Sequence, residues 1–133
     1  MSTWRRLAID LFPEHKRMIE SDLLTFSIYQ LFFGLLPIAH EAHEAQDWDT
    51  LDRIYRYAEW CWKQHRAPDV QNAVAVAFYE HMVDTTASNR DIPKYIKPRI
   101  FEEIRVLFKQ RMSDIDYQDL LNRYNKTNGT HFI

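Results

Sequence analysis

The run His40-Glu41-Ala42-His43-Glu44 holds the densest group of side chains that could bind a metal or move a proton. A zincin motif places two histidines four residues apart on one helix face, with a glutamate directly after the first. Here the histidines are three residues apart, and neither glutamate lies three residues before a histidine, as a di-iron bundle requires. A helical wheel turns His40 and Glu44 towards solvent. We therefore predict an ordinary polar face and no metal site.

Glu80 and His81 are a second pair that could act as acid and base, because burial shifts the pKa values of both groups. Neighbouring residues on a helix point about 100° apart, however, and do not face each other. His81 shares the face of Val74 and Phe78, which predicts a neutral histidine in the core. The sequence has no Gly-rich phosphate loop and no G-x-S-x-G elbow. We expect a protein that is not an enzyme and has no cofactor, with Cys61 as a packed thiol.

The helix predicted over residues 48–65 carries side chains suited to binding another protein. Trp60 falls opposite the inward Leu51, on the same face as Arg56 and with Tyr57 beside it. An exposed Trp next to Tyr and Arg is typical of a binding hot spot. The alternative is that another helix of the chain covers this side, which would place Trp60 in a secondary core. The sequence leaves both alternatives open, and we predict that Trp60, Tyr57 and Arg56 contact a partner.

Charge is uneven along the chain. Residues 41–52 contain no Lys or Arg and five acidic residues, Glu41, Glu44, Asp47, Asp49 and Asp52. Such a block can attract a basic partner and speed the encounter with it. Alternatively it is a solvated helix end whose acids cap the next helix. Residues 90–111 reverse the balance, with seven basic residues to three acidic ones, but their alternating signs argue against nucleic acid. We predict that the acidic block steers a protein partner.

Helices must position these side chains, because two glycines in 133 residues are too few for the tight turns of a β-rich fold. Residues 69–84 are apolar nearly all round, which is typical of a buried central helix. The other predicted helices cover residues 3–11, 22–46, 48–65, 97–112 and 114–124, and a short turn of helix is expected over residues 90–95. Leu24 and Trp48 are placed on inner faces, and residues 125–133 are expected to fray. The prediction is an all-α, single-domain antiparallel bundle of about six helices spanning residues 1–133.

The composition of the chain argues against several classes of function. The net charge of −2 lacks the basic excess of most nucleic-acid-binding proteins. A single cysteine can form no internal disulfide, and no second cysteine supports a zinc site. The first residues lack the apolar region of a signal peptide, and no apolar run reaches the ~18 residues of a membrane span. We expect a cytoplasmic protein that binds neither membrane nor nucleic acid directly.

The segments LFPEHKRMIE, DWDTLDRIYRYAEW and AVAVAFYEHMVD lie within residues 11–84. Together they resemble an uncharacterised bacterial domain family associated with the immunity proteins of polymorphic toxin and contact-dependent growth inhibition systems. The resemblance implies a small cytosolic antidote that binds one cognate toxin domain, often a nuclease, and blocks its active site or substrate access. It supplies no functional residues. The alternative is a helical adaptor or scaffold domain that binds a host protein or peptide through an apolar groove.

Overall fold

The computed structural model describes residues 1–21 and 26–133 and confirms the predicted all-α class. Within these residues there are eight α-helices, two more than predicted, two short 3₁₀ turns and no strand. The helices are α1 (Thr3–Leu11), α2 (Lys16–Glu20), α3 (Ile28–Ala45), α4 (Trp48–Trp62), α5 (Pro68–Ala77), α6 (Thr86–Tyr95), α7 (Pro98–Arg111) and α8 (Asp114–Asn128). The 3₁₀ turns are Pro13–His15 and Tyr79–Val83. None of these helices is long and apolar enough to cross a lipid bilayer.

Side-chain caps set the starts of five helices, because the first N–H groups of a helix have no partner within it. The capping residues are Ser2, Ser27, Asp47, Thr85 and Ser113. Asp47 caps α4, as expected for an acid of the 41–52 block, and Ser113 caps α8. These caps tie the helix boundaries to particular side chains.

The helix predicted over residues 22–46 begins later than expected. Ser27 has extended backbone and forms a capping box with Gln30, so α3 starts at Ile28. The predicted positions of Asp22 and Leu24 lie outside the described residues. Pro37 is exposed, and α3 runs through it without a break.

The predicted central helix is only partly correct. Residues 69–84 do form the hub, since Val74, Ala77, Phe78 and Met82 are fully buried. The α-helix ends at Ala77, however, and Phe78 leaves the helical region with φ −133° and ψ −71°. A 3₁₀ turn completes the segment. The α5 part packs against α3 and α4, and the 3₁₀ part packs against α6 and α7. The two halves of the hub therefore contact different helices.

The C-terminal helix is longer than predicted. α8 continues to Asn128 and ends at Gly129, whose left-handed φ of 65° suits a residue without a Cβ. The ring of Phe132 then packs against Phe101, with ring centroids 5.5 Å apart, and against Tyr124. Residues 125–133 were expected to fray; in the structure α8 extends beyond the predicted end at residue 124, and this aromatic contact returns the tail to the core.

Candidate functional site

A tight turn between α3 and α4 brings the five acidic residues to one end of a helical hairpin. Gln46 adopts a left-handed conformation with φ 54°, and its N–H bonds back to the carbonyls of the last turn of α3. The chain therefore reverses within two residues. All five carboxylates are exposed: Glu41, Glu44, Asp47, Asp49 and Asp52. We call this set the acidic end.

Two of these carboxylates also have local roles. Asp47 caps α4 by accepting bonds from the N–H and the hydroxyl of Thr50, at 3.3 and 2.7 Å. The same two bonds lower the pKa of Asp47. Asp49 lies 3.6 Å from Nε of Arg53, one turn along the helix. The alternative that these acids cap the next helix is therefore correct for Asp47. Glu41, Glu44 and Asp52 form no ion pair within residues 1–21 and 26–133.

Trp48 is the aromatic side chain exposed at the acidic end. The prediction placed Trp48 on the inner face of its helix, but 39% of its surface is exposed. Its ring stacks on Tyr95 of α6, with centroids 6.4 Å apart, and Tyr95 stacks on the buried Tyr55 at 4.6 Å. The amino group of Lys94 lies 3.8 Å from the Trp48 centroid. This aromatic stack of Trp48, Tyr95 and Tyr55 runs from the surface into the core and fixes the position of Trp48.

A buried polar network lies beneath the aromatic stack. His43 is fully buried, and its Nδ1 lies 2.9 Å from Oδ2 of Asp91 on α6. Its Nε2 lies 2.8 Å from the hydroxyl of Tyr55 on α4, which is also 3.0 Å from Sδ of Met82. Arg90 donates to both oxygens of Asp91 and to the carbonyl of His43. The network therefore joins α3, α4 and α6 at the point where they support the acidic end.

The protonation states in this network follow from burial and charge. Burial lowers the pKa of His43, and the hydrogen bond to Asp91 only partly offsets it. Burial would raise the pKa of Asp91, but the bonds from Arg90 and His43 outweigh it and the pKa is lowered. At neutral pH, then, His43 is neutral: Nδ1–H donates to the Asp91 carboxylate, and Nε2 can accept from Tyr55. Both ring nitrogens are engaged and the ring is inaccessible, so this geometry suits support and not catalysis.

The lowered pKa of His43 predicts that the protein loses stability on mild acidification. The unfolded chain binds a proton near the ordinary pKa of 6.5, whereas the folded state binds it only at lower pH. Between these two values the unfolded state holds more protons, so the free energy of unfolding falls as pH falls, by up to about 1.4 kcal/mol per pH unit. We expect urea unfolding between about pH 5 and 7 to show this slope, and His43→Gln to reduce it.

The control for this measurement is His131→Gln, which removes an exposed histidine from the C-terminal tail and should leave the slope unchanged. His40 is half-buried and its pKa is also lowered by burial, so part of the slope should persist in His43→Gln. An unaltered slope in His43→Gln would show that His43 is not the group that titrates.

The predicted aromatic anchor on α4 needs correction. Tyr57 is fully buried, and its hydroxyl donates to the carbonyl of Trp4 at 2.9 Å, because α1 packs across this side of α4. Trp60 is half-buried, and its ring stacks on Tyr57 with centroids 6.3 Å apart. The prediction that Tyr57 faces a partner was therefore wrong. Arg56 is exposed, and it lies one turn after Asp52 of the acidic end.

The remaining candidate residues, His81, Glu80 and Cys61, lie outside the acidic end and its supporting network. His81 is only partly buried, with 22% of its side chain exposed, and it bonds to Asp84 at 2.7 Å. The prediction that His81 is a core histidine was therefore wrong, and the histidine in the core is His43. Glu80 is also only half-buried. Cys61 is buried as predicted, and burial raises the pKa of its thiol to about 12. In the part of the chain that the structure describes, no group of three or more His, Cys, Asp or Glu side chains could hold a metal ion.

The burial of His43, its contact with Asp91 and the exposure of Trp48 were not predicted from the sequence, which placed His43 in a polar face. A local signal existed for His43, because it lies one helical turn after the inward Ala39. The role of Asp91 has no comparable signal, since its partner lies 48 residues away in sequence. The position of Trp48 depends on Tyr95, which the sequence did not place beside it.

A family model described as "Domain of unknown function (DUF7674)" matches residues 5–113. The chain belongs to the DUF7674 family. Comparisons with curated proteins and with solved structures found no match. The DUF7674 match includes the whole acidic end, the aromatic stack and the network of His43, Tyr55 and Asp91, whereas all of α8 follows it. The acidic end and its support are therefore part of the DUF7674 domain itself.

Proposed function

We propose that this protein is a cytoplasmic immunity protein that binds a cognate bacterial toxin domain and neutralises it by stoichiometric contact. The observation that carries the proposal is the acidic end, which exposes five carboxylates, together with the exposed ring of Trp48 in the same turn region. The partner that best fits this surface is a basic protein domain such as a nuclease. The resemblance of residues 11–84 to an uncharacterised family associated with immunity proteins supports the same function.

The acidic end and Trp48 would contribute differently to binding. Exposed carboxylates of one sign raise the rate of encounter with a basic partner, and their effect weakens as salt increases. Trp48 supplies a large contact area, and its stacking on Tyr95 holds it in place before the partner arrives. A side chain that is already ordered loses less entropy on binding. The acidic end would therefore act on the association rate, and Trp48 on the lifetime of the complex.

The test is co-expression with the product of the adjacent upstream gene. We expect the wild-type chain to rescue the cells from toxicity and to co-purify with that product. Trp48→Ala should weaken the complex by about 2 kcal/mol, or roughly thirtyfold in Kd, if Trp48 is the anchor. The affinity can be measured by calorimetry on the purified pair.

The control is Ile115→Ala on α8, a side chain that is 82% exposed and lies outside the acidic end. It should bind the partner as the wild type does. Equal affinity for Trp48→Ala and wild type would remove Trp48 from the interface. Failure of the wild-type chain to rescue or to co-purify would contradict the proposed function itself.

A groove between α4 and α7 favours the adaptor function as a second candidate. It has a volume of about 670 Å³, and Trp62, Pro98 and Ile100 supply its apolar lining. Charged side chains form the rest of its wall, including Glu59, which pairs with Lys97 at 2.8 Å. A short peptide could lie in this groove. A partner bound there would be insensitive to Trp48→Ala, and this separates the two functions.

A further inference from the structure

A second charged surface lies between α6 and α8, and its sign is opposite to that of the acidic end. It is a groove of about 220 Å³ lined by Arg90, Pro93, Lys94, Arg123, Lys126 and Thr127. Among the residues that the structure describes, its lining includes no carboxylate. Four cationic side chains from two helices therefore converge on one small space, which we call the cationic groove.

The two arginines are held in place by the protein itself. Arg90 is fixed by its bonds to Asp91 and to the carbonyl of His43. Arg123 bonds to Asp119 through Nε at 2.9 Å and to the carbonyl and side chain of Asn89 through its other nitrogens. These bonds do not use all five N–H donors of either guanidinium. Each arginine thus keeps donors for a ligand and needs little ordering to present them.

The charges around the groove do not balance. Asp91 pairs with Arg90, and Asp119 pairs with Arg123. Lys94 lies over the Trp48 ring, and Lys126 has no ion pair among the residues that the structure describes. Two positive charges therefore remain after the ion pairs among the described residues are counted; the exposed Glu44 also acts on Arg90 but forms no ion pair with it. A ligand with two negative charges would balance these two positive charges.

We propose that the cationic groove binds the terminal phosphate of a phosphate monoester. A phosphate monoester carries about −1.5 to −2 charges at pH 7, whereas a carboxylate or a phosphate diester carries only one. Guanidinium groups match the geometry of phosphate oxygens through paired N–H donors. The volume is smaller than the roughly 300–1,000 Å³ of pockets that enclose a drug-sized ligand. The groove thus holds the phosphate head while the rest of the molecule extends into solvent.

The experiment is a titration of the full chain with inorganic phosphate, followed by backbone amide resonances. We expect saturable shifts confined to α6 and α8. Dimethyl phosphate, a monoanion of similar shape, should bind at least tenfold more weakly. Lys126→Gln should weaken phosphate binding roughly tenfold, because it removes one charged donor. Parallel titrations with O-phosphoserine and a nucleoside 5′-monophosphate distinguish a modified protein side chain from a nucleotide as the source, and tighter binding of either supports the proposal.

Lys109→Gln is the matched control, since Lys109 is an exposed lysine of α7 that does not line the groove. It should bind phosphate as the wild type does. The proposal is overturned if phosphate produces no saturable shifts, if dimethyl phosphate binds equally well, or if Lys126→Gln and Lys109→Gln behave alike. These measurements need no toxin, so their outcome is independent of the proposed function.

Discussion

Phe32→Ala is expected to lower the free energy of unfolding by about 3–5 kcal/mol. Phe32 is fully buried, and its ring lies 5.7 Å from the ring of Tyr57 and 5.7 Å from that of Phe78. It therefore connects α3 with α4 and with the hub at a single point. Truncation loses the transfer energy of the ring and leaves a cavity between large side chains that cannot close it. Against a typical total of about 5–15 kcal/mol, the loss should be evident in urea unfolding.

The neighbouring residue provides the control. Phe33→Ala makes the same chemical change one position along α3, at a side chain that is 55% exposed. Its effect should stay within about 0.5 kcal/mol, as for most surface substitutions. Similar losses for the two variants would mean that the inner face of α3 is assigned incorrectly.

The contrast between Phe32 and Phe33 was predictable from the sequence. Phe32 shares the 3.6-residue period of Leu31, Leu35 and Ala39, all of which are fully buried. The same periodicity gave the positions of most helices, while the scarcity of glycine pointed to the all-α class. Patterns of this kind succeed because burial of an apolar face dominates the placement of an amphipathic helix.

The break in the hub at Phe78 could not be predicted in this way. Nothing local interrupts residues 69–84, which contain no Gly and no Pro. The backbone departs from the helix where the ring of Phe78 packs between Phe32 and Tyr55, at 5.7 and 5.5 Å. Packing against other helices therefore overrides local propensity here.

The candidate site, too, was predictable from the sequence only in part. The exposure of the five acidic residues followed from their charge, which is costly to bury. The aromatic residue among them was misassigned, because a helical wheel does not show which neighbour covers each side. Contact with α1 buries Tyr57, and the stack on Tyr95 leaves Trp48 at the surface. Such long-range contacts decide the identity of an aromatic anchor.

The network beneath the acidic end gives the second large prediction. Asp91→Ala should lower the free energy of unfolding by about 3 kcal/mol. The side chain of Asp91 is only 9% exposed, and it accepts from Nδ1 of the fully buried His43 at 2.9 Å. Its loss leaves that N–H in the core without an acceptor. The lost pairing with Arg90 should contribute less, because half of the Arg90 side chain is in solvent.

Asp119→Ala is the control that separates the effect of burial from the effect of losing an ion pair. Asp119 also pairs with an arginine, at 2.9 Å from Nε of Arg123, but its side chain is 65% exposed. Its loss should cost about 0.5 kcal/mol or less. The loss of stability in Asp91→Asn should lie between those of Asp91→Ala and Asp119→Ala. The amide oxygen of the asparagine can still accept from His43, but its amide nitrogen would face the Arg90 donors. If Asp91→Ala costs no more than Asp119→Ala, the network does not hold the three helices together. The acidic end would then need another source of its rigidity.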